Sequence, residues 1–468
     1  MNINRFLLVG AIVTLLGGCT LAPEYTRPAA PVPADWPTGA AYQETKSAAF
    51  APTAAELPWR EFFTDERLQK IIGIALNNNR DLRLAALNVE RARAYYGIQR
   101  AELLPTVQAV GSGSKERVPA DLSSTGSVMT KERYDVNLGI SSWEMDFFGR
   151  IRSLKDRALE EYLATDEARR GTQILLVSAV ANAYLALAAD REALNLVVST
   201  LETQEASYKL IRKSYDVGLA SELDLQRAQS QVDAARGDVA RYTQLAAQDE
   251  NALNLLVGSP MPPALLPAEL GSVSPPQEIS PGLSSELLLR RPDVLAAEHR
   301  LKATNANIGA ARAAFFPRIS LTTAIGTASA DLSGLFKSGS GTWSFAPQIA
   351  IPIFDARTWS AYDVTKVDRE ISVAQYEKAI QTAFREVADA LAVQGTVNQQ
   401  ITAQQSLVHA VAESYRLSHA RYTKGIDSYL GVLDAQRSLY GAQQGLISLR
   451  LARFTNRVTL YKVLGGGE

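Results

Sequence analysis

The residues whose types and spacing could do chemistry lie late in this 468-residue chain. Leu430, Asp434 and Arg437 recur at i, i+4 and i+7 of a helical run, so they share one face. Repeated around a symmetry axis, a leucine ring excludes water and bulky solutes, while a carboxylate ring repels anions and attracts cations. On a lone helix the same spacing gives an exposed Asp434 to Arg437 ion pair, which contributes little. Bond-making constellations are missing from the sequence. His299, His409 and His419 lie in helical runs away from any nucleophile, and neither metal-ligand spacing nor a phosphate-binding glycine loop occurs. Asp146-Phe147-Phe148-Gly149 looks like a kinase magnesium motif but reads better as a strand end entering a helix. No enzymatic activity, metal or diffusible cofactor is expected.

Just before the Leu430 stripe, Tyr422-Thr423-Lys424-Gly425-Ile426-Asp427-Ser428 repeats Tyr215-Asp216-Val217-Gly218-Leu219-Ala220-Ser221 at a spacing of 207. Glycine tolerates the left-handed conformation that ends a helix, and Ser221 with Asp224 forms the Ser-x-x-Asp start of the next. Both segments therefore read as sharp helix reversals. The copying extends further. Asp81, Gly97 and Leu104-Pro105 recur as Asp293, Gly309 and Phe316-Pro317, each 212 residues on. Two repeats result, 59–258 and 284–468, joined by a proline-rich linker, 259–283, that can be neither helix nor central strand. A proline-rich arm, 19–58, precedes them.

Each repeat has one coarse order. A helical run, Asp65 to Leu103 or Ser284 to Phe315, ends at a proline, which disfavours helix for the residue before it. Alternating segments follow. Trp343, Phe345, Ile349, Ile351 and Ile353 alternate with small or polar residues, as do Ile319, Leu321 and Ile325, and Tyr134, Val136, Leu138 and Ile140. The segment from Val107 to Ser114 is weaker. That predicts four strands in two hairpins, with loops rich in Gly, Ser and Thr. Long helices come next. Val180, Tyr184, Leu187, Leu194, Val198, Leu201, Tyr208 and Tyr215 follow a 3-4 alternation, and Leu433, Tyr440, Ile447, Phe454 and Tyr461 a seven-residue stripe. From Ile151 to Tyr215 a continuous helix would be about 97 Å long, with Gly171 as a point of interruption.

Composition sets the class. With 46% apolar and 21% charged residues the chain can bury a sizeable core, and 48 Lys plus Arg against 49 Asp plus Glu leave no field to attract nucleic acid. Phe6 to Gly18, after Arg5, is too short to span a bilayer and reads as the core of a secretory leader, residues 1–18. The single cysteine, Cys19, ends Leu16-Gly17-Gly18-Cys19 and excludes a disulfide within the chain. This tetrapeptide resembles the bacterial lipoprotein processing site, where the thiol takes a diacylglycerol and the new N-terminus an acyl chain. Thr20 rather than Asp after it implies sorting to the outer membrane.

Strands with Trp, Phe and Ile on one face and small polar residues on the other, in an exported chain, fit a transmembrane barrel. Four strands cannot close alone, because membrane barrels start at about eight. Several chains must share one barrel, and a trimer supplies twelve strands.

The chain resembles the outer-membrane factor family, the TolC and OprM type. The likeness is carried by Leu16-Gly17-Gly18-Cys19, Asn78-Asn79-Arg80-Asp81-Leu82-Arg83, Phe148-Gly149-Arg150, Arg291-Pro292-Asp293, the run Ala306 to Pro317, and Leu433-Asp434-Ala435-Gln436-Arg437-Ser438. It implies an α+β membrane protein: a homotrimer with a twelve-stranded transmembrane β-barrel, four strands per chain, continued by a long periplasmic α-helical barrel. It also implies an outer-membrane exit duct for drugs and other small toxic compounds, served by a periplasmic adaptor (membrane fusion) protein and an inner-membrane transporter of the resistance-nodulation-division (RND) class. The family's constriction falls on Leu430 and Asp434, with Arg437 on the same face. Adaptor contact falls on the tips, Gly218, Leu219 and Ser221 with Gly425, Ile426 and Ser428. Asp224 and Tyr422 match positions that tie neighbouring helices shut, whereas Asp427 stands where TolC carries an arginine. Export of metal cations or of secreted proteins is the nearest alternative, and four methionines, one of them the start residue, argue against a dedicated copper path. A trimeric surface stalk is the remote one.

Overall fold

The computed structural model describes residues 20–42, 57–279 and 284–466. The segment expected to be a leader and Cys19, the expected lipid-attachment residue, lie outside them. In chain order the elements are α1 (Trp59–Phe62), α2 (Glu66–Asn78), α3 (Arg80–Ala101), β1 (Val107–Val118), β2 (Met129–Met145), α4 (Arg150–Asp216) and α5 (Glu222–Val257). After the linker come α6 (Pro292–Ala313), β3 (Arg318–Ser329), β4 (Gly341–Ala350), α7 (Ala356–Thr423) and α8 (Tyr429–Val463). Two compact units divide them: one holds the described residues up to Ala29 with Asn88–Thr165 and Ala296–Tyr376, the other Ala30–Leu87, Asp166–Leu295 and Glu377–Glu468.

The first unit contains a four-stranded antiparallel sheet in the order β1-β2-β3-β4. Paired residues in a ladder share a face. The register Ile325↔Trp343, Thr323↔Phe345, Ile319↔Ile349, Leu138↔Ile325 and Ala109↔Leu138 therefore puts all of these on one side of the sheet. Gln108, Ser112, Asn137, Ser320, Thr322, Thr342, Ser344 and Gln348 take the other. A β-bulge lies between Ile140 and Trp143, where Ser142 has φ 52°. Its one extra residue keeps Trp143 and Met145 on the apolar side, where Ser142 and Glu144 would otherwise fall. The segment expected to be weak, Val107 to Ser114, belongs to a full strand of 12 residues, because β2 pairs along its whole length. Conversely Ile351 and Ile353 lie beyond β4, since Pro352 cannot donate to a ladder.

Residues 20–29 are fixed to the same unit. Glu298 of α6, its side chain 3% exposed, accepts from Arg27 Nη2 at 2.8 Å and Tyr25 Oη at 3.1 Å, with Lys302 Nζ at 3.3 Å. Thr20, the residue after Cys19, has its Oγ1 3.4 Å from Ser153 Oγ near the start of α4, and Arg312 donates to the Leu21 carbonyl.

The second unit is helical. The run expected as one helix from Asp65 breaks at Asn79, which is extended (ψ 133°) and caps α3 by accepting from Leu82 N–H at 2.9 Å. The expected helix from Ser284 begins instead as a 3-10 turn, Ser285–Arg290, and turns α-helical at Pro292, whose missing N–H suits a helix start. Gly171 does not interrupt α4, which runs 67 residues, about 100 Å at 1.5 Å each. A helical glycine costs about 1 kcal/mol against alanine, and burial of Val177, Val180, Ala181, Tyr184 and Leu187 nearby outweighs it. Past Leu187 the buried stripe runs Ala193, Val197, Gln204 and Ile211, while the expected Val198 and Tyr215 are exposed. The seven-residue spacing persists through Val197, Gln204 and Ile211, on a face one residue earlier than the alternation predicts. The α8 stripe holds: Leu433, Phe454 and Tyr461 are buried, Tyr461 stacked on Phe62 at 4.2 Å.

Candidate functional site

Two helical hairpins, α4–α5 and α7–α8, end in the reversals expected from the copied heptapeptides. Gly218 and Gly425 have φ +77° and +70°, a conformation only glycine adopts without strain. At the first tip Gly218 N–H donates to Tyr215 C=O at 2.9 Å and Leu219 N–H to Ser214 C=O at 2.7 Å. At the second, Gly425 N–H donates to Tyr422 C=O and Ile426 N–H to Arg421 C=O, both at 2.9 Å. These are paired Schellman closures. The tips pack on one another through Ile211, Ala228, Tyr429, Val432 and Leu433, with Tyr415 and Tyr422 around the rim.

The outgoing sides differ. Ser221 accepts from Asp224 N–H at 3.1 Å and its own N–H reaches Asp224 Oδ2, a full capping box. Ser428 makes no cap hydrogen bond, and Gly431 occupies the third helical position. There Arg421 takes Asp427 in both arms of its guanidinium, Nε to Oδ2 at 2.5 Å and Nη2 to Oδ1 at 3.1 Å. That guanidinium holds the Asp427 carboxyl below the usual carboxylate range.

Every residue singled out at the tips is thereby placed. Leu430 is 48% exposed on α8, away from the packed face. Asp434 and Arg437 share that outward side and form an ion pair, Oδ1 to Nη2 2.7 Å, with both side chains about two-thirds exposed. Tyr422 leans on Tyr429, ring centroids 5.2 Å apart, and burial with the nearby Asp224 charge raises its phenol above the ordinary value. Leu219 and Ile426 are exposed at the turn apices. The first tip carries Leu223, Arg227 and Ser230 where the second has Leu430, Asp434 and Arg437.

Sequence reasoning missed two groups. Arg421 to Asp427 was readable only once the Schellman turn brought the sixth residue back over the first. Higher on the first hairpin, the carboxyls of Asp190 on α4 and Asp249 on α5 lie close enough to perturb each other, and Asp249 Oδ2 is buried with no hydrogen-bond partner among the described residues. Burial first, then the Asp190 charge, pushes Asp249 up to about 6. Their neighbours are paired off: Arg191 with Glu250, Glu192 with Arg450, Arg241 with Asp238. Among the described residues no group of three or more His, Cys, Asp or Glu is placed to hold a metal.

A sheet apolar on one side and polar on the other, in a chain of long paired helices that end in matched reversals, fits the subunit of a membrane channel. The chain belongs to the outer membrane efflux protein family, whose profile matches residues 71–259 and 283–466. A toluene efflux pump outer membrane protein of Pseudomonas putida, TtgC, is 52% identical over 455 residues, 97% of this chain and 93% of its own length. OprJ of Pseudomonas aeruginosa is 44% identical over 458 residues, 97% and 94%. Among solved structures, CusC superposes with TM-score 0.84 at 41% identity over 96% of this chain and all of its own. The open-state MtrE channel of Neisseria gonorrhoeae gives TM-score 0.84 at 38%, covering 96% and 98%. The chain is thus an outer-membrane efflux channel component, spanning the outer membrane and extending into the periplasm.

Proposed function

We propose that three copies of the chain close one twelve-stranded barrel and that drugs, solvents and other small toxic compounds leave through it, delivered by an RND transporter and a periplasmic adaptor. The sheet carries this reading. β1 and β4 each have a bare edge, and one face bears Trp343, Phe345 and Ile349, all more than 60% exposed. In hydrocarbon each unpaired backbone group costs several kcal/mol, so the edges must meet further copies. In the order β1-β2-β3-β4 the last strand runs opposite to the first, so β4 of one copy and β1 of the next meet antiparallel. The outer-membrane factor resemblance supports three copies. The names of the toluene and antibiotic efflux relatives support the substrate class.

In this reading the tips form the periplasmic mouth. Rings of Leu430, Asp434 and Arg437 narrow it, Tyr422 and Asp224 tie adjacent helices, and the apices around Gly218, Leu219, Ser221, Gly425, Ile426 and Ser428 receive the adaptor. Acyl chains on Cys19 anchor the arm beside the barrel. The test is single-channel conductance of the purified protein in planar bilayers, parent against a Leu430→Ala, Asp434→Ala double variant. A much wider open pore in the variant is expected, and equal conductance refutes the gate. For the transport role, deletion in a strain expressing its pump must sensitise cells to several unrelated antibiotics or detergents. Unchanged susceptibility refutes it.

A further inference from the structure

We propose that Arg421 and Asp427 form a clasp within one chain that fixes where α8 begins, and so where Leu430 and Asp434 point. The inference rests on the gate reading above. Both tips close their incoming helix by the same pair of Schellman hydrogen bonds, so the incoming side cannot explain a difference between them. The outgoing side must be set separately. At the first tip the capping box of Ser221 and Asp224 satisfies the opening turn of α5 from both directions. At the second, Ser428 gives no cap, and Gly431 has no side chain to reach back. The start of α8 would be free to slide or fray.

Arg421 supplies what is missing. Its carbonyl accepts the Ile426 N–H at 2.9 Å while its guanidinium grips the Asp427 carboxylate, so one residue holds the loop by backbone and side chain together. Asp427 directly precedes the N-cap, where its charge also complements the helix dipole. Leu430 is three residues and Asp434 seven residues beyond it, so a shift of one residue in the helix start turns both by about 100°. With its carboxylate occupied inside the chain, Asp427 is not free to bridge to a neighbour. The two tips are held by different forces as well. A capping box is a local hydrogen-bonded device, whereas the clasp is an ion pair with side chains 55% and 44% exposed, which salt weakens.

The experiment uses purified full-length channel in planar bilayers at about 0.1 M and about 1 M salt, which differ roughly threefold in screening length. Arg421→Ala and Asp427→Ala each raise resting conductance about two- to fivefold at low salt and less at high salt. The charge-swapped chain, Arg421→Asp with Asp427→Arg, returns toward the parent. Provided the Leu430→Ala, Asp434→Ala channel widens, unchanged single variants, a swap no better than either single, or an effect equal at both salts overturns the clasp. The Leu430→Ala, Asp434→Ala channel is run alongside. If it widens and Arg421→Ala does not, the clasp fails and the gate stands. If neither widens, the gate fails, and the clasp is decided by hydrogen exchange. Exchange at 424–431 must then rise in Arg421→Ala while that at 217–224 stays fixed; no rise at 424–431 overturns it.

Discussion

Replacing Asp249 by asparagine tests the acid pair on the first hairpin. Asp249 titrates near 6 in the folded chain against an ordinary 3.8, because burial and the Asp190 carboxylate both oppose its charge. A raised acid binds its proton more tightly folded than unfolded. Its stabilising contribution is therefore complete below about pH 4 and is lost as pH rises through about 6. The asparagine side chain cannot ionise, and its amide N–H can donate to Asp190 at any pH. A displacement of about two pH units at about 1.4 kcal/mol each sets a ceiling near 3 kcal/mol. Both side chains are partly solvated, which cuts this to about 1.5 kcal/mol. The measurement is thermal unfolding of the detergent-purified protein from pH 4.5 to 8. Parent and variant should unfold alike at the acid end, and the variant should gain about 1 to 2 °C at pH 7.5, small because the chain is long. Arg241, which draws Asp190 toward its charged form, moderates but does not reverse the slope. A variant no more stable than the parent at pH 7.5, or with the same pH slope, refutes the raised Asp249 acid.

Arg291 is buried, with Nη2 2.8 Å from both Asp293 and Glu386 and Nη1 donating to the Val463 carbonyl. Arg291→Ala strands Glu386 and that carbonyl, and should cost about 3 to 5 kcal/mol, seen as a large fall in the denaturant midpoint; a loss under about 1 kcal/mol argues against the network. On the sheet, Ile325→Lys puts a charge on the apolar face and should cost about 2 to 4 kcal/mol. Ala324→Lys, one residue along on the other face, should cost far less. Membrane-fraction yield of the two variants reads this directly, and equal yields refute the face assignment.

Much of the fold was legible because it is local. Alternation in Trp343 to Ile349 fixes which side chains face lipid whatever the strand pairs with. Proline at Pro105 and Pro317 ends the preceding helices by its own stereochemistry. Glycine at 218 and 425, each followed by a branched apolar residue and, three positions on, a serine, is enough for a Schellman reversal. What local reading misjudged were places where competing local terms were close. Asn79 could continue a helix or cap one, and its bond to Leu82 N–H decides for the cap. Gly171 could break α4, but the apolar face around Val177 carries the helix through it.

By itself, then, the sequence determined an exported chain with amphipathic strands, long helices, two reversals, and the divergence of Leu430, Asp434 and Arg437 from Leu223, Arg227 and Ser230. Tertiary structure alone decided which partners those elements meet. β2 pairs with β3 across the two halves, Glu298 receives Arg27 from the arm, Asp190 meets Asp249, and Arg421 closes over Asp427. Side-chain periodicity records the face an element hides but not the identity of the element it hides against. Contacts that depend on register between separate segments are therefore fixed only when the segments pack.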